Sequence, residues 1–259
     1  MGEALKLRPL RGEDWGVTPP DVIRDVWMKI QEVSGDADPF TQVKVEQNRA
    51  VLKLYPFSKE LVLKSRDPLL EAVKLSIAGN SLDAMRPPKE QPTQELIERL
   101  VEPPIRPEDV EGLKERLGEA RRIVYLGDNC GEIVFDKLLI ELIRETYGPE
   151  VVFVTRTLPV LNDAILQDAL SVGIDTVVQV VENGITEPFT GTTLEKVSPE
   201  VRALIEGSDL VISKGGGNYD TLTEEEEVRG KVTFFLQAKC HVYCTIHQVP
   251  LGALIVHNS

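Results

Sequence analysis

Hydrophobic residues follow two different spacings along this chain. Over residues 21–33, 40–54, 58–64 and 67–77 they recur three and four apart, which predicts amphipathic helices. The strict alternation of a half-buried strand is almost absent there. Residues 87–107 carry six prolines and several charges, and read as a linker with one short helix over 94–101. From Gly118 onward the pattern changes. Short β-branched runs at 123–126, 151–154, 176–181, 210–213, 232–236 and 253–256 alternate with helical stretches at 133–146, 159–172, 199–206, 224–229 and 239–248. Such alternation predicts a parallel sheet flanked by helices. The expected organisation is a helical region with a Pro-rich linker over 1–117, then an α/β region over 118–259.

Candidate chemistry gathers just after three of the predicted strands. The first strand ends in Gly127-Asp128-Asn129-Cys130-Gly131-Glu132, and a helix follows. A carboxylate beside an amide at a strand's carboxyl end suits a hard metal ion. Either Asp128 or Asn129 equally suits a helix cap. After the second strand comes Pro159-Val160-Leu161-Asn162-Asp163, where Asp163 is a further carboxylate or a cap. The fourth strand runs into Lys214-Gly215-Gly216-Gly217-Asn218-Tyr219-Asp220. Glycines there let backbone N–H groups converge on an anion, and Lys214 adds a point charge. The spacing fits neither the Walker A loop nor Gly-x-Gly-x-x-Gly, because position 220 is Asp. The plainer reading is a glycine-rich turn with a surface lysine.

Topology ties these clusters together. In the doubly wound order 3-2-1-4-5-6 the first and fourth strands are neighbours, so Asp128 and Lys214 face one crevice with Asp163 on the other side of strand one. Acidic metal ligands beside a phosphate cradle are what metal-assisted phosphoryl chemistry needs. Lys239, just past the fifth strand, also falls at this edge. Asn80 and Asp83, three apart after an apolar helical segment, share a face if the helix continues, or simply end it. Cys240, His241, Cys244 and His247 offer softer, zinc-type donors, but three ligands on one helix rarely close a tetrahedron. Buried thiols are the commoner outcome.

Composition narrows the function further. The net charge of −13 and 5% aromatic content argue against a nucleic-acid surface. No apolar run is long enough to span a membrane, and residues 1–11 lack a signal-peptide core. Three cysteines are too few for a disulfide framework and favour a reducing cytoplasm. Residues 224–227, four glutamates, read as a solvated face. Nothing here fixes the oligomeric state.

Taken together, Asp128-Asn129-Cys130-Gly131-Glu132, Pro159 to Asp163, Lys214 to Tyr219, Ala78 to Asp83 and Ala238-Lys239-Cys240 resemble the damage-control phosphatase family, also called ARMT-like or DUF89, in its archaeal stand-alone form. The resemblance implies a helical N-terminal part and a Rossmann-like, three-layer α/β/α domain. It implies a divalent metal (Mg²⁺, Mn²⁺, Co²⁺ or Ni²⁺) on Asp128, Asn129 and Asp163. Glu132 would join these three in catalysis. Lys214, the Gly215–Tyr219 run and Lys239 would contact substrate, while Asn80 and Asp83 would close the site. The implied substrates are small phosphomonoesters, such as sugar phosphates or phosphopantetheine-type metabolites. Two departures stand out. Many relatives carry Gln where this chain has Gly216. Many archaeal relatives also begin with a Cys-x-x-Cys segment, whereas no cysteine precedes Cys130 here; either the start has diverged or the sequence begins downstream of that segment. The expectation is a soluble, cytoplasmic, metal-dependent phosphatase. The alternatives are an S-adenosylmethionine-dependent methyltransferase, which needs no metal triad, and a non-catalytic metabolite-binding protein.

Overall fold

The computed structural model describes residues 16–79 and 92–259. Its N-terminal helices are α1 (Pro19–Ser34), α2 (Thr41–Leu52), α3 (Tyr55–Lys64), α4 (Pro68–Ala78), α5 (Gln94–Leu100) and α6 (Pro107–Glu119). Local chemistry sets their ends. Thr18 and Asp21 form a capping box at α1, with Pro19 in its first turn. Asp67 caps α4 through the Leu70 amide at 3.1 Å. Asn80 and Asp83 lie outside the described residues.

The second part runs β1 (Arg122–Leu126), α7 (Glu132–Tyr147), β2 (Glu150–Thr155), α8 (Leu166–Ser171), β3 (Gln179–Glu182), α9 (Pro199–Gly207), β4 (Leu210–Lys214), α10 (Gly215–Leu222), β5 (Val232–Gln237), α11 (His241–His247) and β6 (Leu254–Asn258). The sheet order is β3-β2-β1-β4-β5-β6, the doubly wound order expected. Side chains alternate across it. Ile123 and Tyr125 of β1 join α4, α6 and α7 in one apolar cluster. Val124 and Leu126 join α9 and α10 in the other, giving three layers. The first cluster spans the border at 117/118: Val73 and Ile77 of α4 share it with Phe135 and Leu139 of α7.

Four elements differ from the sequence pattern. β6 pairs antiparallel to β5, with Gln237 opposite Leu254. A parallel return must recross the sheet, and the seven-residue α11 rises only about 10 Å. The chain instead turns back at once, closed by Ala238 N to Ala253 O at 2.9 Å and Gly252 N to Ala238 O at 2.8 Å. The helix expected over 159–172 shrinks to α8, because the preceding backbone pairs with other segments. The Cys130 amide donates to Asn162 O at 2.9 Å and Arg156 N to Ala164 O at 3.0 Å. The third strand starts late, since the Val177 and Val178 amides still bond back to Ile174 O. Of the helix expected over 224–229, only Glu226–Val228 forms, as one 3-10 turn.

Candidate active site

The carboxyl ends of β1, β2 and β4 bring Asp128, Asp163 and the start of α10 together. The loop after β2 is zipped onto the end of β1: Ala164 N donates to Asp128 O at 2.7 Å, and Asn129 and Asp163 form an antiparallel bridge. Leu161, two residues before Asp163, has φ 47°, an uncommon conformation for a non-glycine residue. Asp128, Asn129 and Asp163 are all buried. The Asn129 Nδ2 donates to Asp128 Oδ2 at 2.8 Å. Asn48 of α2 accepts the Gly131 amide at 2.6 Å, so the helical part steadies this turn.

Charge at the site is strained. Burial pushes the Asp128 carboxyl well above the usual carboxylate range, and the negative charges of Asp163 and Glu132 push it further. Arg156 and Lys239 oppose this. Burial also raises Glu132, to about 7, with Lys214 pulling down and Asp136 pushing up. Among the described residues no three carboxylate, imidazole or thiolate groups are placed to hold a metal ion together. The donor set is two carboxylates and one amide, all hard oxygen donors once the Asn129 amide presents its oxygen. Two crowded, buried carboxylates lack enough positive charge, so the residues fit a small divalent cation.

The glycine run is not a turn. Gly215 to Leu222 is helix α10, entered directly from β4 through Lys214. The first N–H groups of a helix have no intrahelical acceptor, so its start still suits an anion. Gly215 has φ 78°, and a Cβ there would overlap the Asp128 carboxylate. Gly215→Ala is therefore expected to cost about 1–3 kcal/mol of stability and to displace Asp128. Calorimetry with Mn²⁺ and thermal melting check this; wild-type metal affinity would remove Gly215 from the site. Gly217 faces the protein itself, since a Cβ there would meet the Thr190 carbonyl. At Gly216 the nearest group is the Tyr243 hydroxyl, which donates to Asp220 at 2.8 Å.

Lys214 does not stand at the surface. It is fully buried, donating to Glu132 Oε1, to Asp136 Oδ1 at 2.7 Å and to the Ser76 carbonyl at 2.8 Å. Burial alone would lower its pKa, but Asp136 and Glu132 hold it above the usual value. Tyr125 and Ser76 also donate to Asp136, each at 2.7 Å. Asn218 is buried, and its Nδ2 donates to Lys214 O at 2.8 Å. Tyr219 packs among Phe234, Tyr243 and His247. Lys239 is exposed, with its charge felt by Asp128 and Glu132. Of the zinc-type donors, Cys240 is exposed and His247 lies buried against His257, 5.2 Å between ring centres.

Three features were not legible in sequence. Arg156 sits buried between Asp163 and Asn218. Asp136 pairs with Lys214 from one turn inside α7, where it resembles any polar helix position. Helix α1 reaches the loops: Trp27 Nε1 donates to Pro159 O at 2.9 Å, and Lys196 bridges Asp21 and Glu187.

Fold and site together define a doubly wound α/β protein with an acidic pair at its switch point, beside a helix start suited to an anion. Residues 14–255 match the damage-control phosphatase ARMT1-like domain, and the chain belongs to that family. It is 31% identical to the damage-control phosphatase of Pyrococcus horikoshii over 230 residues, 89% of this chain and 78% of that one. It is 32% identical to the damage-control phosphatase of Archaeoglobus fulgidus, over 88% of this chain and 78% of that one. The crystal structure of a DUF89 family protein from Pyrococcus horikoshii superposes with a TM-score of 0.86 at 28% identity, covering 99% of this chain and 87% of that one. Among the described residues no helix is long and apolar enough to cross a membrane.

Proposed function

We propose that this protein is a metal-dependent phosphatase for small phosphorylated metabolites such as sugar phosphates. The observation that carries the reading is the meeting of Asp128 and Asp163 beside the glycine-led start of α10. The names of its archaeal relatives, damage-control phosphatases, support the phosphatase part of this reading. Asp128, Asn129 and Asp163 would hold the ion. When bound, a divalent ion neutralises phosphoryl oxygen charge and makes water a better nucleophile.

The chain's own groups divide the remaining work. The first amides of α10 donate to phosphate oxygens, while its glycines make room for Asp128, Tyr243 and the Thr190 carbonyl. Lys239 draws the anion towards the site from its exposed position. Glu132, raised to about 7 and with no hydrogen-bond partner for Oε2 among the described residues, holds or releases a proton near neutrality. It orients the attacking water or a substrate hydroxyl. Hydrolysis then forms one P–O bond to water oxygen and breaks the bond to the leaving alcohol, which takes up a proton.

A screen of sugar phosphates and phosphopantetheine-type compounds with Mg²⁺, Mn²⁺, Co²⁺ and Ni²⁺ tests this. Phosphate release that stops on adding a chelator is expected. No release from any compound, or release indifferent to the chelator, would sink the reading.

A further inference from the structure

Arg156 lies one residue beyond β2 and is only 4% exposed. Its guanidinium reaches four segments at this edge of the sheet. Nε donates to Asp163 Oδ2 at 2.8 Å. Nη1 donates to Asn218 Oδ1 at 2.9 Å, to Gly191 O at 3.0 Å and to Thr192 Oγ1 at 3.4 Å. Nη2 donates to the Thr190 carbonyl and stands 3.7 Å from Asp128 Oδ1. One side chain thus links the ends of β1 and β2, the 183–198 connection and α10.

Two consequences follow from this geometry. The bond to Asp163 Oδ2 restrains the orientation of that carboxylate. The bonds to Thr190 and Gly191 hold the connection against Gly217, where the Thr190 carbonyl leaves no room for a side chain. Thr192 closes the ring, its hydroxyl donating to Asn218 Oδ1 at 2.8 Å. A planar fork with several donors satisfies this set; a lysine ammonium cannot. Charge arithmetic gives a second role. Asp128 and Asp163, both ionised, would just cancel a divalent ion. With Arg156 the group carries one net positive charge, which suits an incoming phosphate.

We infer that Arg156 is a positioning residue that couples the 183–198 connection to the Asp128–Asp163 pair and sets the positive excess that retains phosphate. The inference rests on the phosphatase reading for the identity of the anion. Its role in the connection stands apart from that reading.

Full-length Arg156→Met and Arg156→Lys are to be compared with wild type by three measurements. Limited proteolysis with mass mapping should show residues 183–198 cut faster in both variants, since neither restores the fork. Calorimetry with Mn²⁺ alone should show binding that does not weaken in Arg156→Met, because a competing cation has left. Calorimetry with inorganic phosphate, with Mn²⁺ present, should show at least about a tenfold loss for Arg156→Met. Arg156→Lys should recover part of that loss by restoring the charge. Wild-type protection of the connection in Arg156→Met, or unchanged phosphate affinity, overturns the inference. So does loss of Mn²⁺ binding in both variants, which would make Arg156 a strut for the fold. If wild type binds no phosphate at all, the phosphatase reading fails, while proteolysis still judges the coupling.

Discussion

Replacing Asp128 by Asn is expected to abolish turnover while leaving the folded protein no less stable. The loss of kcat/KM should be at least about a thousandfold, or ~4 kcal/mol of transition-state stabilisation. Stability should move the other way, because burial and the charges of Asp163 and Glu132 disfavour ionised Asp128. The folded protein keeps that proton to a higher pH than an unfolded carboxyl with the ordinary value of 3.8. Between those two values the folded state binds more protons, so stability falls as pH rises through the window. The amide of the Asp128→Asn variant cannot ionise, so the slope should become shallower, leaving the share that belongs to Glu132. Thermal melting with a chelator across acidic to neutral pH, alongside phosphate-release assays, measures both effects. Wild-type turnover, or an unchanged pH slope, would show that Asp128 lies outside the chemistry or bears no such strain.

Lys214→Met should produce the largest loss of stability. The ammonium serves two fully buried carboxylates, Glu132 and Asp136. Glu132 Oε2 and Asp136 Oδ2 already lack partners within the described structure. Removing one member of such a buried set typically costs about 3–5 kcal/mol. The cost should depend on pH. Glu132, raised to about 7 with Lys214 in place, rises further without it. A higher folded-state value means more proton uptake on folding, so the variant weakens as pH climbs above the ordinary 4.5 and recovers towards acid. Adding Glu132→Gln should restore part of the loss at neutral pH. Denaturant melts at several pH values read this directly. A penalty under about 1 kcal/mol would place Lys214 among ordinary surface pairs.

Periodicity identified β1, β2, β4 and β5 nearly to their ends, because buried parallel strands are short apolar runs with clear breaks. The strand order followed from general rules of doubly wound sheets, and so did the neighbourhood of Asp128 and Lys214. What escaped the sequence was where each side chain points. Lys214 reads as a phosphate hook by spacing, yet its neighbours in space include Ser76 and Asp136, far away along the chain. Arg156 takes its partners from positions 163, 190, 191 and 218, and no local pattern encodes that convergence. Helix α10 was hidden by its glycines, whose poor intrinsic propensity is overridden here by close approach to Asp128 and Thr190. The antiparallel β6 depends on the length of α11, which hydrophobic spacing measures only to within a few residues.

Ser76 gives the order of synthesis a meaning. It sits on α4, which leaves the ribosome before any strand of the sheet. Its hydroxyl donates to Asp136 and its carbonyl accepts from Lys214. The later half of the chain therefore emerges with a lysine and two acids that cannot be sealed from water until α4 docks over them. A sheet that closed without that helix would trap unsatisfied charge, a costly state that reopens readily. Docking of α4 on α7 therefore does more than bury apolar surface: it supplies the polar partners that Asp136 and Lys214 need once water is excluded.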